Sequence, residues 1–273
     1  DNDHLDYFKN FDNIKKAFSN YAKLIPENGA LITNADDVSC LELKTDVKGK
    51  FITYGVNNTS ANFVACNIKH NPLGFPEFDV LRDNKFYMHV RLSVAGMHNV
   101  SNALACIATC AYYGISTNAI YSALLKFTGA HRRLEYVGSY HGVSVYDDYG
   151  HHPTEIRATA SAIDDKDYNE SWVIFQPHTY SRTKNLLDDF ARALLDFDHI
   201  IVTDIYAARE QNTFNISSLD LVNKIKEYNK DALYIKDFED IANHIRTNAR
   251  TNDLVLTLGA GTVTNIGPMI IKP

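Results

Sequence analysis

Phe11, Ile14, Phe18, Tyr21 and Ile25 recur at steps of three and four, the period of an amphipathic helix, and this spacing predicts a helix whose apolar stripe faces a core, with Asp12 helping to cap it. From about residue 30 to residue 94 the pattern changes. Short alternating segments at 30–33, 51–54, 62–66 and 85–92 are separated by Asn, Asp, Gly and Pro, as strands and turns of a sheet should be. Residues 103–113, rich in Ala, Cys and Ile, then read as a helix ending at Gly114, and a second helical stretch follows from 118 to 127.

Thr128-Gly-Ala-His-Arg-Arg-Leu134 interrupts this periodicity, and the expected domains are 1–129 and 130–273. Beyond the break, apolar runs at 143–146, 172–175, 199–203, 233–235 and 254–258 alternate with helical stretches starting near 153, 182, 217 and 238. Short, nearly continuous apolar strands between longer helices predict an α/β fold with a doubly wound parallel sheet, whose ligands bind beyond the carboxyl ends of the strands. The residues just after each strand therefore carry the interest. They are Asp147-Asp-Tyr-Gly-His-His-Pro153, Gln176-Pro-His-Thr-Tyr-Ser-Arg-Thr183, Asp204-Ile-Tyr-Ala-Ala-Arg-Glu210 and Gly259-Ala-Gly-Thr262. A single Asp after a strand is most often a helix cap, but four consecutive strand ends delivering carboxylates, imidazoles, guanidinium groups and a glycine turn to one edge make a candidate site. Pro153 fits the first position of a helix, with Thr154 and Glu155 in its first turn. That puts His151 and His152 at the positive end of the helix, where anions are favoured.

Composition narrows the partners. The chain has 273 residues, 45% of them hydrophobic, enough to bury one or two cores. With 27 basic and 33 acidic residues the net charge is −6, which leaves no broad electropositive face for nucleic acid. Apolar runs such as Asp253-Leu-Val-Leu-Thr-Leu-Gly259 fall well short of the roughly 20 residues of a membrane-spanning helix. Cys40, Cys66, Cys106 and Cys110 form no C-x-x-C pair, consistent with a reducing, cytoplasmic setting. The opening Asp1-Asn-Asp-His-Leu-Asp-Tyr7 has no initiator Met and no signal-peptide pattern, so the chain is expected to begin within a longer protein.

Further candidates remain in the first half. Asn99, Asn102, Cys106 and Cys110 share one helical face, and the two carboxamides suit a purine or a loop backbone equally well. Asp3, His4 and Asp6 offer oxygen and nitrogen ligands for Mg²⁺, or simply an exposed charged segment. Arg132 and Arg133 are either a phosphate clamp or a solvated pair. The His151-His152 pair has no ligand partner at zinc spacing. No G-x-x-x-x-G-K-[ST] loop is present, and Gly259-Ala-Gly261 lacks the third glycine of a dinucleotide fingerprint.

Six motifs together resemble the Mur ligase family: Asp3-His-Leu-Asp-Tyr7, Gly96-Met-His-Asn-Val-Ser-Asn-Ala-Leu104, His131-Arg-Arg-Leu-Glu135, Tyr146-Asp-Asp-Tyr-Gly-His-His-Pro-Thr-Glu155, Phe175-Gln-Pro-His-Thr-Tyr-Ser-Arg-Thr183 and Asp204-Ile-Tyr206. The resemblance implies the C-terminal portion of a central α/β ATP-binding domain over 1–129 and a whole Rossmann-like amino-acid-binding domain over 130–273. It implies ATP and Mg²⁺ as cofactors and UDP-N-acetylmuramate and L-alanine as substrates, in a monomer or homodimer with no nucleic acid or membrane partner. ATP would phosphorylate the lactyl carboxylate, and the amine would attack the acyl phosphate, with the developing charge stabilised electrostatically. By motif match, His4 would be a metal ligand, Asn99 and Asn102 would face the nucleotide base and ribose, and Arg133 would contact ATP. Asp148 would face the nucleotide, while Tyr149, His151 and Arg182 would surround the amino acid and the muramoyl carboxylate. Arg133, Asp148 and His151 are thus the expected catalytic group. Thr179 stands where some relatives carry Arg, and Gly261-Thr262 replaces the usual Gly-Asp. A sister ligase that attaches a murein tripeptide shares several of these features, and a non-catalytic nucleotide- or amino-acid-binding module is the reading from a different class. The expectation for this chain alone, without an ATP loop or sugar-binding domain, is an inactive portion.

Overall fold

The computed structural model describes residues 1–71 and 73–272, except the Asp6 side chain. Two compact units divide at Thr128 and Gly129. In the first, β1 (Ala30–Asn34), β2 (Lys50–Gly55) and β3 (Phe63–His70) run parallel, while β4 (Pro76–Arg82) and β5 (Lys85–Arg91) continue as an antiparallel meander. The sequence pattern did not predict β4. It buries Phe78 and Val80 completely and turns Glu77 and Asp79 to the other face, so its period-two signal is carried by only two large apolar residues. Asp83 and Asn84, both at positive φ, close the β4–β5 hairpin, a conformation these residue types tolerate. The helix α4 (Met97–Tyr112) packs Val100, Leu104 and Ile107 onto this sheet, and α5 (Thr117–Lys126) adds Ile120. α4 begins six residues before the stretch that its composition marks.

The predicted N-terminal helix spans Phe11–Ala22, but two of its details differ. Asn10, not Asp12, caps it, accepting from the Asn13 N–H. Its stripe is only partly covered: Ile14 and Ala22 are buried, whereas Phe18 and Tyr21 are exposed. A helical period sets which residues share a face but not what that face meets.

In the second unit six strands lie in the order β10-β9-β8-β11-β7-β6. These are β6 (Glu135–Tyr140), β7 (Val143–Asp148), β8 (Ser171–Phe175), β9 (His199–Val202), β10 (Ala232–Tyr234) and β11 (Leu254–Leu258). All pairs are parallel except β6–β7, a hairpin that the sequence did not predict as antiparallel. Alternate residues of each central strand serve opposite faces. Val173, Phe175, Val202 and Leu256 pack with Ile156, Phe190 and Leu221 on one side. Val145, Ile174, Ile201 and Val255 pack with Ile241, Ile245, Ile266 and Ile270 on the other. The first layer is α6 (Pro153–Asp164), α7 (Tyr180–Asn185), α8 (Leu187–Leu194) and α9 (Ser218–Lys226), and the second is α10 (Phe238–Asn248) and α11 (Ile266–Ile271). Each fully buried Phe or Ile contributes about 1.5–3 kcal/mol of burial free energy, which is why both faces of the sheet are covered.

The chain moves outward from β7 through β8 to β10 and then returns to insert β11 between β7 and β8. The carboxyl ends of β7, β11 and β8 therefore lie side by side, and the loops that follow them converge on one edge.

Candidate functional site

At that edge Asp147 and Asp148 are the last residues of β7 rather than the start of a loop, and both are buried. The Asp148 carboxylate accepts from the Gly150 N–H at 2.7 Å and the Leu134 N–H at 2.8 Å. Burial pushes its carboxyl above the usual range, only partly offset by these two N–H groups and Arg133. Asp147 accepts from Arg132 Nε at 2.9 Å and from the hydroxyls of Thr257 and Thr264 at 2.6 and 3.0 Å. The Arg132 guanidinium also donates to the Gly259 carbonyl. Arg132 is therefore neither solvated nor a phosphate clamp; it ties the segment before β6 to the glycine turn after β11. Arg133 beside it is half exposed and reaches Glu155 at 3.4 Å.

The first turn of α6 organises the rest. His152 is its N-cap, with Pro153 at the first helical position, as the sequence predicted. Glu155 accepts from the backbone N–H groups of His151 and His152 at 3.0 and 3.2 Å. The Glu155 carboxyl, pushed up by burial, is brought below its usual range by the His151 N–H and the charges of His151 and Arg133. His151 Nδ1 lies 3.1 Å from the Tyr149 carbonyl, and the Tyr149 and His151 rings meet edge to face. The guanidinium carbons of Arg132 and Arg133 sit 4.9 and 5.7 Å from the Tyr149 ring centre.

From β8, His178 faces His151 with ring centres 5.5 Å apart and lies 3.1 Å, through Nδ1, from Arg182 Nη1. As the Arg nitrogen must donate, His178 Nδ1 accepts. Tyr206, after β9, stacks on His178, and the chains bridge there, with the Thr179 N–H donating to the Tyr206 carbonyl. Thr179 holds φ 66° and ψ 147°, a region costly for any residue but glycine. Glu210 accepts from both the N–H and the hydroxyl of Ser181. Gly261 completes the edge: a β-carbon there would lie 2.3 Å from Gln176 Oε1 and 2.7 Å from Tyr206 Cγ.

Five of the predicted residues, Arg133, Asp148, Tyr149, His151 and Arg182, thus belong to one continuous cluster. Glu155, His178 and Glu210 lay within the runs read from the sequence but were given no role there. Glu155 carries a readable signal, three residues after a cap, but the cap is His rather than Ser, Thr, Asp or Asn. Ser181 and Glu210 are 29 positions apart and carry no local signal.

In the first unit Asn99 and Asn102 line a largely apolar cavity of about 360 Å³, together with Cys106 and Cys110. Asn99 Nδ2 donates to the Ala95 carbonyl at 2.7 Å, and Asn102 Nδ2 donates to Asn99 Oδ1 at 3.4 Å. Apolar and edged by carboxamides, this cavity has the size and chemistry to take a purine ring. His4 is exposed in left-handed conformation beside Asp3, 3.7 Å away. The Asp6 side chain lies outside the described residues. Among the described residues no group of three or more His, Cys, Asp or Glu could hold a metal. His4 and Asp3 by themselves do not make the six-coordinate oxygen site that Mg²⁺ demands. Among the described residues no helix is long and apolar enough to cross a membrane.

Two α/β units, one ending in an Asn-lined cavity and the other gathering Asp, His and Arg at a sheet edge, correspond to two models of one ligase class: Mur ligase middle domain over residues 1–110 and Mur ligase, glutamate ligase domain over residues 132–261. The chain belongs to the Mur ligase family. It is 46% identical over 270 residues to UDP-N-acetylmuramate–L-alanine ligase of Acetivibrio thermocellus, covering 99% of this chain and 58% of the relative. It is 44% identical to the protein of the same name from Caldanaerobacter subterraneus subsp. tengcongensis, covering 100% of this chain and 59% of that one. The crystal structure of a UDP-N-acetylmuramate-alanine ligase from Thermotoga maritima matches with a TM-score of 0.79 at 26% identity, over 99% of this chain and 57% of that structure. The chain spans somewhat under three-fifths of the length of the curated relatives it matches.

Proposed function

We propose that this chain supplies the nucleotide-base cavity and the amino-acid site of a ligase that joins L-alanine to UDP-N-acetylmuramate at the expense of ATP. The observation that carries this reading is the cluster of Arg133, Tyr149, His151, His178 and Arg182 at the carboxyl edge of β7 and β8, in a chain 46% identical to a relative of that name. Arg182, oriented by His178, pairs with the carboxylate of the amino acid or of the muramoyl group. His151 donates from Nδ1 to the Tyr149 carbonyl, which fixes the orientation of its ring at the edge of the amino-acid site. Tyr149, flanked by the guanidinium groups of Arg132 and Arg133, lies against the amino acid. Asn99 and Asn102, within the first unit, hold the base.

ATP supplies the phosphoryl group that activates the carboxylate. His4 as a magnesium ligand rests on the motif alone. A cytoplasmic location goes with this reading, supported by four cysteines without a disulfide.

The test is a hybrid in which this chain replaces the matched 270 residues of the Acetivibrio thermocellus relative. With ATP, UDP-N-acetylmuramate and L-alanine it should form the amide and release ADP and phosphate. A folded, ATP-binding hybrid that ligates nothing, or prefers the murein tripeptide to L-alanine, overturns the proposal.

A further inference from the structure

Cys106 and Cys110 stand one helical turn apart on α4, and both line the cavity edged by Asn99 and Asn102. Residues four apart project from the same helix face, so the two thiols open on one space. Neither is in a disulfide; Cys106 is exposed and Cys110 partly so. Around them the wall is apolar, with Ile120, Leu124 and Phe127.

We propose that Cys106 and Cys110 form a two-thiol site for trivalent arsenicals, and that an arsenical held there keeps a nucleotide base out of the cavity. The second clause rests on the proposed placement of the base beside Asn99 and Asn102; the first clause does not. Although Cys106 is exposed overall, the apolar wall beside its thiol takes away part of its water and pushes it above its ordinary range, and the neighbouring Cys110 adds to the shift. The thiol is therefore protonated at neutral pH and slow toward reagents that attack a thiolate. An arsenical needs no standing thiolate. Phenylarsine oxide, C6H5AsO, reacts with two S–H groups to form two As–S bonds, and its oxygen leaves with both protons as one water. Arsenic stays trivalent, nothing is oxidised, and the phenyl ring is left among apolar side chains. Ring closure by the second thiol is intramolecular, which favours this pair over any single cysteine.

The experiment treats the chain with one equivalent of phenylarsine oxide in excess glutathione, followed by intact-mass measurement and peptide mapping. One adduct is expected on the peptide holding Cys106 and Cys110, retained in glutathione and removed by a dithiol. Cys106→Ser and Cys110→Ser should each weaken retention by about 100-fold, while a Cys40→Ser/Cys66→Ser double variant keeps it. Mapping on the unsubstituted chain decides the matter even where a variant fails to fold. An adduct on Cys40 or Cys66, or one indifferent to both single substitutions, overturns the two-thiol site. A fluorescent ATP analogue, added before and after the arsenical, reads the second clause. Displacement supports exclusion. Undiminished binding of the analogue by the labelled chain overturns exclusion, and absence of binding before labelling overturns the placement of the base; in both cases the mapped two-thiol site stands.

Discussion

Arg132 and Arg133 are neighbours of identical chemistry, yet their replacement should have very different consequences. The Arg132 side chain is 14% exposed and its partner Asp147 is 3% exposed, whereas Arg133 is 52% exposed. Arg132→Met keeps the length and apolar stem but leaves the Asp147 carboxylate buried without its cation and the Gly259 carbonyl without this donor. Breaking a buried pair costs about 3–5 kcal/mol. Two hydroxyls, of Thr257 and Thr264, still donate to Asp147 and place the expected loss at the lower end, about 3 kcal/mol. At about 2–4 °C per kcal/mol for a unit of this size, Tm should fall by about 10 °C. Arg133→Met removes only an exposed pair and should cost less than about 1 kcal/mol. The assay is urea unfolding followed by fluorescence of Trp172, the one tryptophan, which lies in β8 of the same unit. Adding Asp147→Asn to Arg132→Met should recover part of the loss, because the charge that was stranded is gone. A loss for Arg132→Met no larger than that for Arg133→Met would refute the assignment of Arg132 as a buried tie.

Three further outcomes are expected. Gly261→Ala drives a β-carbon into Gln176 Oε1 and Tyr206, displaces the acceptor of the Val263 N–H, and should cost about 2–4 kcal/mol in the same unfolding assay. Asp188 is held down to about 2 by hydrogen bonds from Tyr228 and Arg192; carboxylate titration by NMR should find it there, and Tyr228→Phe should return it toward the usual range. Glu155 is lower in the folded state than in the unfolded chain, so its contribution to stability is present above the unfolded value and lost as pH falls through the folded one. Glu155→Gln should therefore flatten the acid limb of the stability profile, and an unchanged limb would remove Glu155 as the organiser of the α6 turn.

Much of the second unit was legible along the chain because parallel strands buried on both faces are runs of apolar residues, and the helices between them are longer than any turn. Pro153 marked the start of α6 and Gly114 lay just beyond α4, since both residue types have backbone preferences that act locally. β4 escaped because its alternation rests on Phe78 and Val80 alone, and β6 because an antiparallel edge strand has no local sign of its direction. The stripe on the Phe11–Ala22 helix was correctly periodic but is only partly covered, since periodicity is a property of one helix and burial a property of its surroundings.

The candidate site shows the same division. Residue types and their order located the Asp, His and Arg groups, because side-chain chemistry is written residue by residue and strand ends are set by local pattern. What chain order could not convey was the return of β11 between β7 and β8, which brings Gly261 against Gln176 and Tyr206, and the parting of Arg132 from Arg133 into buried tie and exposed cation. Those outcomes depend on which strands become neighbours and on how much water each side chain loses, and both are settled only when distant segments pack together.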